Sequence, residues 1–176
     1  MIKYKANPTK IIEAIVFIAN ECRNNSLYTV VKTLFYADKY HLQKYGRPVT
    51  GDTYIKMAYG PVPSMAYDIL KFNDVLPPDL LAQAHGSFSK EELRIVAGRD
   101  PNLEIFSQTD IECLSQALTK CADRDFSYLK EETHKEVAWI EASMNGELDF
   151  ELLIDKDVPD REELIEYIKE TAACAV

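Results

Sequence analysis

FYADKYHLQKYGRPVTGDTYIKMAYGPVPSMAY, residues 35–67, is the stretch that decides the fold of this chain. It combines the end of a helix, a glycine-proline corner, a strand and a second proline corner. Asp38, His41 and several tyrosines lie among these elements, where they cannot all point to solvent. Such polar and aromatic detail in one short stretch indicates a rigid and specific structure.

The whole chain has the composition of one soluble globular domain. It has 176 residues, of which 47% are apolar and 28% are charged, enough for a single domain spanning residues 1–176. The longest apolar run, residues 14–19, is far too short to span a bilayer. The basic N-terminus is followed by Glu13 and Glu21 and offers no cleavage site of small residues. We therefore predict a cytoplasmic protein with no membrane segment.

The cysteine pattern predicts neither a disulfide nor a metal site. There are four cysteines and no C-x-x-C pair, and three of them lie among apolar residues at helical spacing, where cysteine acts as a small hydrophobe. We predict no metal and no cofactor.

The charge is uneven along the sequence. Residues 1–60 carry a net charge of +5 and residues 61–176 carry −14, which gives −9 overall. We expect a molecule with a basic and an acidic end, whose acidic end suits a basic protein. Nucleic acid is a poor partner for such a chain, although a local basic face remains open, formed by Lys32, Lys39, Lys44 and Arg47.

Local signals predict an α+β fold, a predominantly α-helical single domain with a small sheet or hairpin. Asn7 and Pro8 begin a first helix, and Gly46 ends a second. Helices are predicted at about 8–23, 27–45, 63–71 and 79–83, and a strand at 53–59 that stops at Gly60 and pairs with the strand-like segment 87–98. Later helices begin at capping boxes, predicted at Ser107 with Asp110, at Thr133 with Glu136 and at Asp160 with Glu163.

Two hypotheses account for Asp38 and His41, which share the inward side of the second helix. They are an acid/base pair or two metal ligands, with His134 or His85 as a third, or they close the RPVTGD and GPVP corners by hydrogen bonds. No second motif has ligand spacing, and no nucleophile elbow or phosphate loop occurs. We therefore favour the structural role and predict that the protein is not an enzyme.

A tyrosine pair on the same helix suggests a partner-binding face. Tyr36 and Tyr40 lie four residues apart beside Lys32 and Lys39, and exposed tyrosines flanked by lysines are typical of protein-binding surfaces. The same pattern also fits a face that packs under another helix of the domain, and the sequence does not separate the two.

The chain resembles the Panacea domain, the SocA-like antitoxin family of bacteria and phages. The resemblance rests on TLFYADKYHLQKYG, GRPVTGD and AYGPVPSMAYDIL in the first part and on THKEVAW in the last. It implies that a set of motif residues defines the scaffold: Asp38, His41, Gly46, Asp52, Gly60, Pro61, Thr133, His134 and Trp139.

The resemblance also implies a function. Members are antitoxins that neutralise a cognate protein toxin mostly by direct binding, and some resemble adaptors that deliver the toxin to a protease, here a bacterial AAA+ protease. Alternatives are a phage or mobile-element accessory protein that binds a host protein, and a metal-assisted or acid/base enzyme that uses Asp38, His41 and His134.

The C-terminus suggests a further hypothesis about turnover. Residues 171–176 are small and mostly apolar, like the C-terminal tags that bacterial proteases engage. They also fit the plain end of an amphipathic helix.

Overall fold

Eight α-helices and two β-hairpins make up the part of the chain that the structure, a computed structural model, describes, namely residues 2–22 and 25–172. The helices are α1 (Pro8–Glu21), α2 (Leu27–Tyr45), α3 (Ser64–Leu70), α4 (Pro78–His85), α5 (Gln108–Cys121), α6 (Phe126–His134), α7 (Val137–Glu141) and α8 (Arg161–Thr171). The strands are β1 (Tyr54–Met57), β2 (Gly60–Pro63), β3 (Phe88–Glu91) and β4 (Arg94–Ala97), and short 3₁₀ turns cover Leu103–Ile105 and Phe150–Leu153. The predicted α+β class, mainly helical with small hairpins, is confirmed.

Helices α1 and α2 form the centre of the core. Asn7 caps α1 by accepting a hydrogen bond from the Lys10 amide, and Pro8 occupies the first turn. Ser26 caps α2, which ends at Gly46 with a φ of 71°, a left-handed conformation that glycine adopts without strain. Helix α1 is buried on nearly all sides, and α2 packs along α5. Both predicted helices are confirmed.

The two hairpins correct one prediction. Strand β1 pairs antiparallel with β2, and β3 pairs antiparallel with β4, so the expected sheet between 53–59 and 87–98 is wrong. Gly60 has a φ of 104°, which lets the chain reverse after Tyr59 and continue as a strand instead of stopping. The sequence signal for a chain break was in fact the signal for a hairpin turn.

The capping boxes are only partly confirmed. Ser107 and Asp110 form the predicted box at α5. The box predicted for Thr133 and Glu136 is wrong, because Thr133 lies in the last turn of α6 and its hydroxyl donates to the carbonyl four residues earlier. Asp160 precedes α8 but makes no side-chain cap. A short capping pattern does not show whether a helix actually begins after the capping residue, so it gives false positives.

The basic and acidic parts of the sequence pair with each other in the fold. Asp110 forms ion pairs with Lys10 and Arg47, both at 2.9 Å, and Lys39 pairs with Glu136. The first sixty residues therefore do not present a separate basic end, and the expected basic face is wrong as well. Three of its members form ion pairs with the acidic part and the fourth is buried: Lys39, Lys44, Arg47 and Lys32.

The cysteines lie where their spacing predicted. Cys22, Cys113 and Cys121 are buried in the apolar core, and burial raises the pKa of the Cys121 thiol to about 12. Cys174 and most of the small-residue tail, residues 173–176, lie outside the described residues. No helix in the described ranges is both long enough and apolar enough to cross a membrane.

Candidate functional site

Asp38 is completely buried and fully bonded. Its carboxylate accepts from the Thr50 amide (2.8 Å), the Thr50 hydroxyl (2.6 Å) and the Tyr54 hydroxyl (2.9 Å). Burial raises the pKa of Asp38, and these three donors oppose that rise. The side chain ties α2 to the corner that precedes β1. Its oxygens are occupied by the protein itself, which leaves no access for a substrate.

His41 is equally enclosed and holds a different set of elements together. Its Nδ1 donates to the Arg47 carbonyl at 2.7 Å, and its Nε2 lies 2.9 Å from the Thr109 hydroxyl and 3.2 Å from Asp110. Burial lowers the pKa of His41, and the charge of Arg47 lowers it further. A neutral imidazole therefore joins α2, the corner and α5. The hydrogen-bonding role predicted at the RPVTGD corner is confirmed for both residues, whereas neither reaches the GPVP corner.

Asp52 caps a helix that has no cap of its own. Helix α3 follows Pro63, which has no side-chain donor or acceptor, and Asp52 accepts from the Met65 amide at 3.0 Å and the Ala66 amide at 2.8 Å. Burial raises the pKa of Asp52 to about 6. The carboxylate satisfies two of the free amides at the helix start from 13 and 14 residues away in sequence. The resemblance named Asp52, but its capping role was missed.

The two motif blocks meet at Gly60. A Cβ at this position would lie 2.8 Å from the Lys32 ammonium and would clash with the Thr133 hydroxyl. Lys32, which is 0% exposed, donates to the Pro61 carbonyl at 2.8 Å. The GPVP corner is thus bonded to Lys32, which directly precedes the first block, and packs against Thr133 of the last block.

His134 and Trp139 support the other side of the same hairpin. Their rings stack with centroids 3.8 Å apart, and the Trp139 indole donates to the Met57 carbonyl at 3.2 Å. Burial lowers the pKa of His134. The two residues brace the end of β1, far along the hairpin from the contacts of Asp38.

The structure does not assemble the alternative catalytic set. Asp38 and His41 bond to the corner and α5, His134 stacks at the hairpin, and His85 stacks on Phe72 at 4.1 Å. Within residues 2–22 and 25–172, no three His, Cys, Asp or Glu side chains are grouped to hold a metal ion. The proposed metal ligands Asp38, His41 and His134 are therefore wrong as a set.

The expected tyrosine face is covered. Tyr36 is only 2% exposed and Tyr40 stacks on it at 5.8 Å, while the Lys120 ammonium of α5 lies 4.7 Å from the centre of the Tyr36 ring. Lys32 and Lys39 are buried as well. The alternative, a face packed under another helix, is the correct one. Helical spacing shows which side chains share a face but does not show what covers it.

An open groove lies instead beside the first hairpin. It is a mainly apolar pocket of about 230 Å³ between the start of α2, the β1–β2 turn and α3. We call it the hairpin groove and define it by six lining residues: Tyr28, Lys32, Met57, Tyr59, Val62 and Tyr67. Tyr59 at the turn is 58% exposed and Met57 is 37% exposed.

Aromatic contacts fix the walls of the groove. The Tyr28 hydroxyl donates to the Tyr59 carbonyl at 2.7 Å. The Phe126 ring at the start of α6 lies 4.5 Å from the Tyr28 ring and 5.3 Å from the Tyr59 ring. The exposed turn is therefore held rigidly in place. Sequence reasoning missed it, and the available signal was an aromatic residue placed directly before the positive-φ glycine.

The comparisons with known proteins identify one family. The model described as "Antitoxin SocA-like, Panacea domain" matches residues 30–140, which is more than half of the chain. No curated protein and no solved structure matches. The matched range contains most of α2, both hairpins, α3 to α6 and most of α7.

Proposed function

The chain belongs to the SocA-like antitoxin family with a Panacea domain, and from this premise we propose that it neutralises a cognate protein toxin by binding it directly. We place this activity in the cytoplasm, where a toxin of a bacterium or phage meets its antitoxin. The gene context that fits is a bacterial or mobile-element locus that encodes the toxin beside the antitoxin.

The observation that carries this proposal is where the fold exposes its apolar side chains. Eleven large apolar side chains of the described residues are exposed, and six lie on or near the first hairpin and the helices that support it: Met57, Tyr59, Phe126, Val137, Ile140 and Met144. Met57 and Tyr59 line the hairpin groove and Phe126 contacts its walls, and an exposed apolar cluster at a pocket is typical of a protein-binding site. The buried Asp38 and His41 offer no comparable access.

We propose that the motif residues named by the resemblance act as a scaffold for this surface. Asp38, His41 and Gly46 shape the corner, and Asp52 starts α3. The remaining members grip the first hairpin: Gly60, Pro61, Thr133, His134 and Trp139. A scaffold of this kind leaves the choice of toxin to exposed side chains such as Tyr59.

We also propose that the whole chain, residues 1–176, acts as one domain. Helix α1 lies before the matched range, yet it forms the core beneath α2. Tyr167 of α8 packs so closely on Gly46 that a Cβ there would lie 2.7 Å from its ring. Both flanking helices therefore pack against elements of the matched range.

Co-expression tests the proposal. The reading frame next to this gene is expressed alone and together with the chain, and growth and complex formation by pull-down are measured. We expect the neighbour to stop growth alone, and the chain to restore growth and co-purify with it. A neighbour that is harmless, or a toxic neighbour that the chain neither binds nor counteracts, would contradict an antitoxin role.

The same cells separate direct neutralisation from proteolytic delivery. If binding is sufficient, the half-life of the toxin is unchanged by the antitoxin, and rescue persists in a strain without the AAA+ protease. If the chain is an adaptor, the toxin disappears faster in its presence, and rescue needs the protease.

A further inference from the structure

The lysines around the hairpin groove differ from those elsewhere in the chain. Seven of the fourteen lysines form ion pairs with carboxylates of the described residues. Of the other seven, three line the hairpin groove or lie over an aromatic ring that lines it: Lys32, Lys71 and Lys130. A protein of net charge −9 thus places three lysines that have no ion pair to a described carboxylate around one apolar pocket.

These cations are held by aromatic rings. The Lys71 ammonium lies 4.7 Å from the centre of the Tyr67 ring, and the Lys130 ammonium lies 5.6 Å from that of Tyr59. Lys32 in the wall lies 4.8 Å from the centre of the Tyr28 ring. Lys71 and Lys130 are not fully buried, so both ammonium groups remain able to attract an anion from the positions where the rings hold them. The rings that line the groove also position positive charge around it.

We propose that the hairpin groove binds an acidic segment of the partner, which inserts one aromatic or aliphatic side chain into the pocket and places neighbouring carboxylates beside Lys71 and Lys130. The pocket volume fits one such side chain, and the unpaired ammonium groups supply the complementary charge. This inference rests on the proposed function for the identity of the partner, the toxin, but not for the chemistry of the groove.

A displayed library of random peptides, selected on the immobilised full chain, tests the chemistry without the toxin. We expect the enriched peptides to combine an aromatic or aliphatic residue with adjacent Asp or Glu. Enrichment of basic peptides, or no enrichment above the bare support, would overturn the proposal.

Variants locate the binding. The probe is the most enriched peptide, synthesised and titrated calorimetrically. We expect Tyr59→Ala, and Lys71→Glu combined with Lys130→Glu, each to weaken its binding by about tenfold or more, and we expect added salt to weaken binding to the wild type. Unchanged affinity in variants that remain folded by circular dichroism would overturn the proposal.

The second hairpin supplies matched controls. Leu93 in the β3–β4 turn is 72% exposed, and Lys90 of β3 is exposed without an ion pair to any described residue. We expect Leu93→Ala and Lys90→Glu to leave peptide binding unchanged. If these control variants lost as much peptide affinity as the groove variants, the effect would be a general one of surface changes, and the assignment to the groove would be overturned.

The outcomes separate this inference from the proposed function. If the wild type binds the acidic peptides through the groove but fails to rescue growth, the antitoxin proposal is wrong and the groove inference stands. If the wild type rescues growth and the groove variants rescue equally and bind peptide equally, the groove inference alone is wrong. If Tyr59→Ala instead dissociates a dimer on size exclusion and no peptide is enriched, a second copy of the chain occupies the groove and the proposal fails.

Discussion

The two halves of α2 treat buried ionisable groups in opposite ways. In the C-terminal half, Asp38 and His41 are enclosed, and their ring nitrogens and carboxylate oxygens bond to the corner, β1 and α5. In the N-terminal half, Lys32 is equally buried, but it has one carbonyl and one ring as partners and no carboxylate among the described residues within ion-pair distance. In the C-terminal half of α2, which we call the closed half, the buried groups are fully hydrogen-bonded within the protein. The N-terminal half, which we call the open half, forms one wall of the hairpin groove.

This difference shows that burial of an ionisable residue does not by itself indicate a functional site. A buried group with every partner in place stabilises the fold, because its charge and hydrogen bonds are met internally. A buried cation without a counter-charge costs stability, and it lies where a partner's carboxylate reduces that cost. The presence or absence of an internal partner for a buried charge therefore distinguishes a structural role from a binding role.

Of the variants that we propose, Asp38→Ala should destabilise the closed half of α2 most. It removes the acceptor of the Thr50 amide and hydroxyl, and buried donors left without partners cost about 1–3 kcal/mol each. We expect Asp38→Ala to lower the free energy of unfolding by about 3–4 kcal/mol, measured by urea denaturation.

The matched variant Asp38→Asn keeps an acceptor for the Thr50 amide, and we expect it to lose less than half as much. An Asp38→Ala protein that is stable but no longer neutralises the toxin would show that Asp38 acts in function. The structural role that we assign to the closed half would then be wrong.

Gly60→Ala tests how tightly the first hairpin packs against Lys32 in the open half of α2 and against Thr133 of α6. The φ of 104° is strained for any L-residue with a side chain, and the added methyl would meet Lys32 and Thr133. We expect a loss of about 2–3 kcal/mol in thermal or urea unfolding.

Gly86→Ala is its control. Gly86 has a φ of −76° and room for a Cβ at ordinary contact distance, so that substitution should be neutral or slightly stabilising. Equal effects of the two substitutions would mean that the hairpin is not gripped as the structure shows.

The pH dependence of stability tests the charge of Lys32. Burial lowers its pKa to about 7 from an ordinary value of 10.5, so between these values the unfolded chain binds more protons than the folded one. Stability from this group therefore rises with pH across that window, by at most about 2 kcal/mol between pH 7 and 9. We expect the free energy of unfolding of the wild type, measured by urea denaturation, to rise by this amount between about pH 7 and 9 relative to that of Lys32→Met.

The titratable neighbours of Lys32 do not obscure that measurement. Burial holds the pKa of Tyr28 and of Cys121 at about 12, so both stay protonated over the window. A difference between the wild type and Lys32→Met that does not change with pH would show that Lys32 is paired or solvated in the folded protein.

Local sequence signals predicted much of the helical framework and part of the closed half. Asn7 with Pro8 and the left-handed Gly46 marked helix ends correctly, and the inward placement of Asp38 and His41 followed from helical spacing. The open half was missed. The helical pattern makes Tyr36 a candidate for exposure, yet α5 covers it, whereas the strand pattern does not mark Tyr59, which is the exposed aromatic residue of the groove.

The sequence by itself determined what acts over a few residues: the helix ends at Asn7, Ser26 and Gly46, the side chains that share a face, and the motifs by which the family is recognised. The tertiary structure alone decided which strands pair, that Thr133 meets Gly60 and not a helix start, and which lysines are left without carboxylates. Caps and backbone angles depend on nearest neighbours along the chain. Burial and charge compensation depend on elements far away along the chain, such as Glu136 beside Lys39 and Tyr167 beside Gly46, and only the packed fold brings those together.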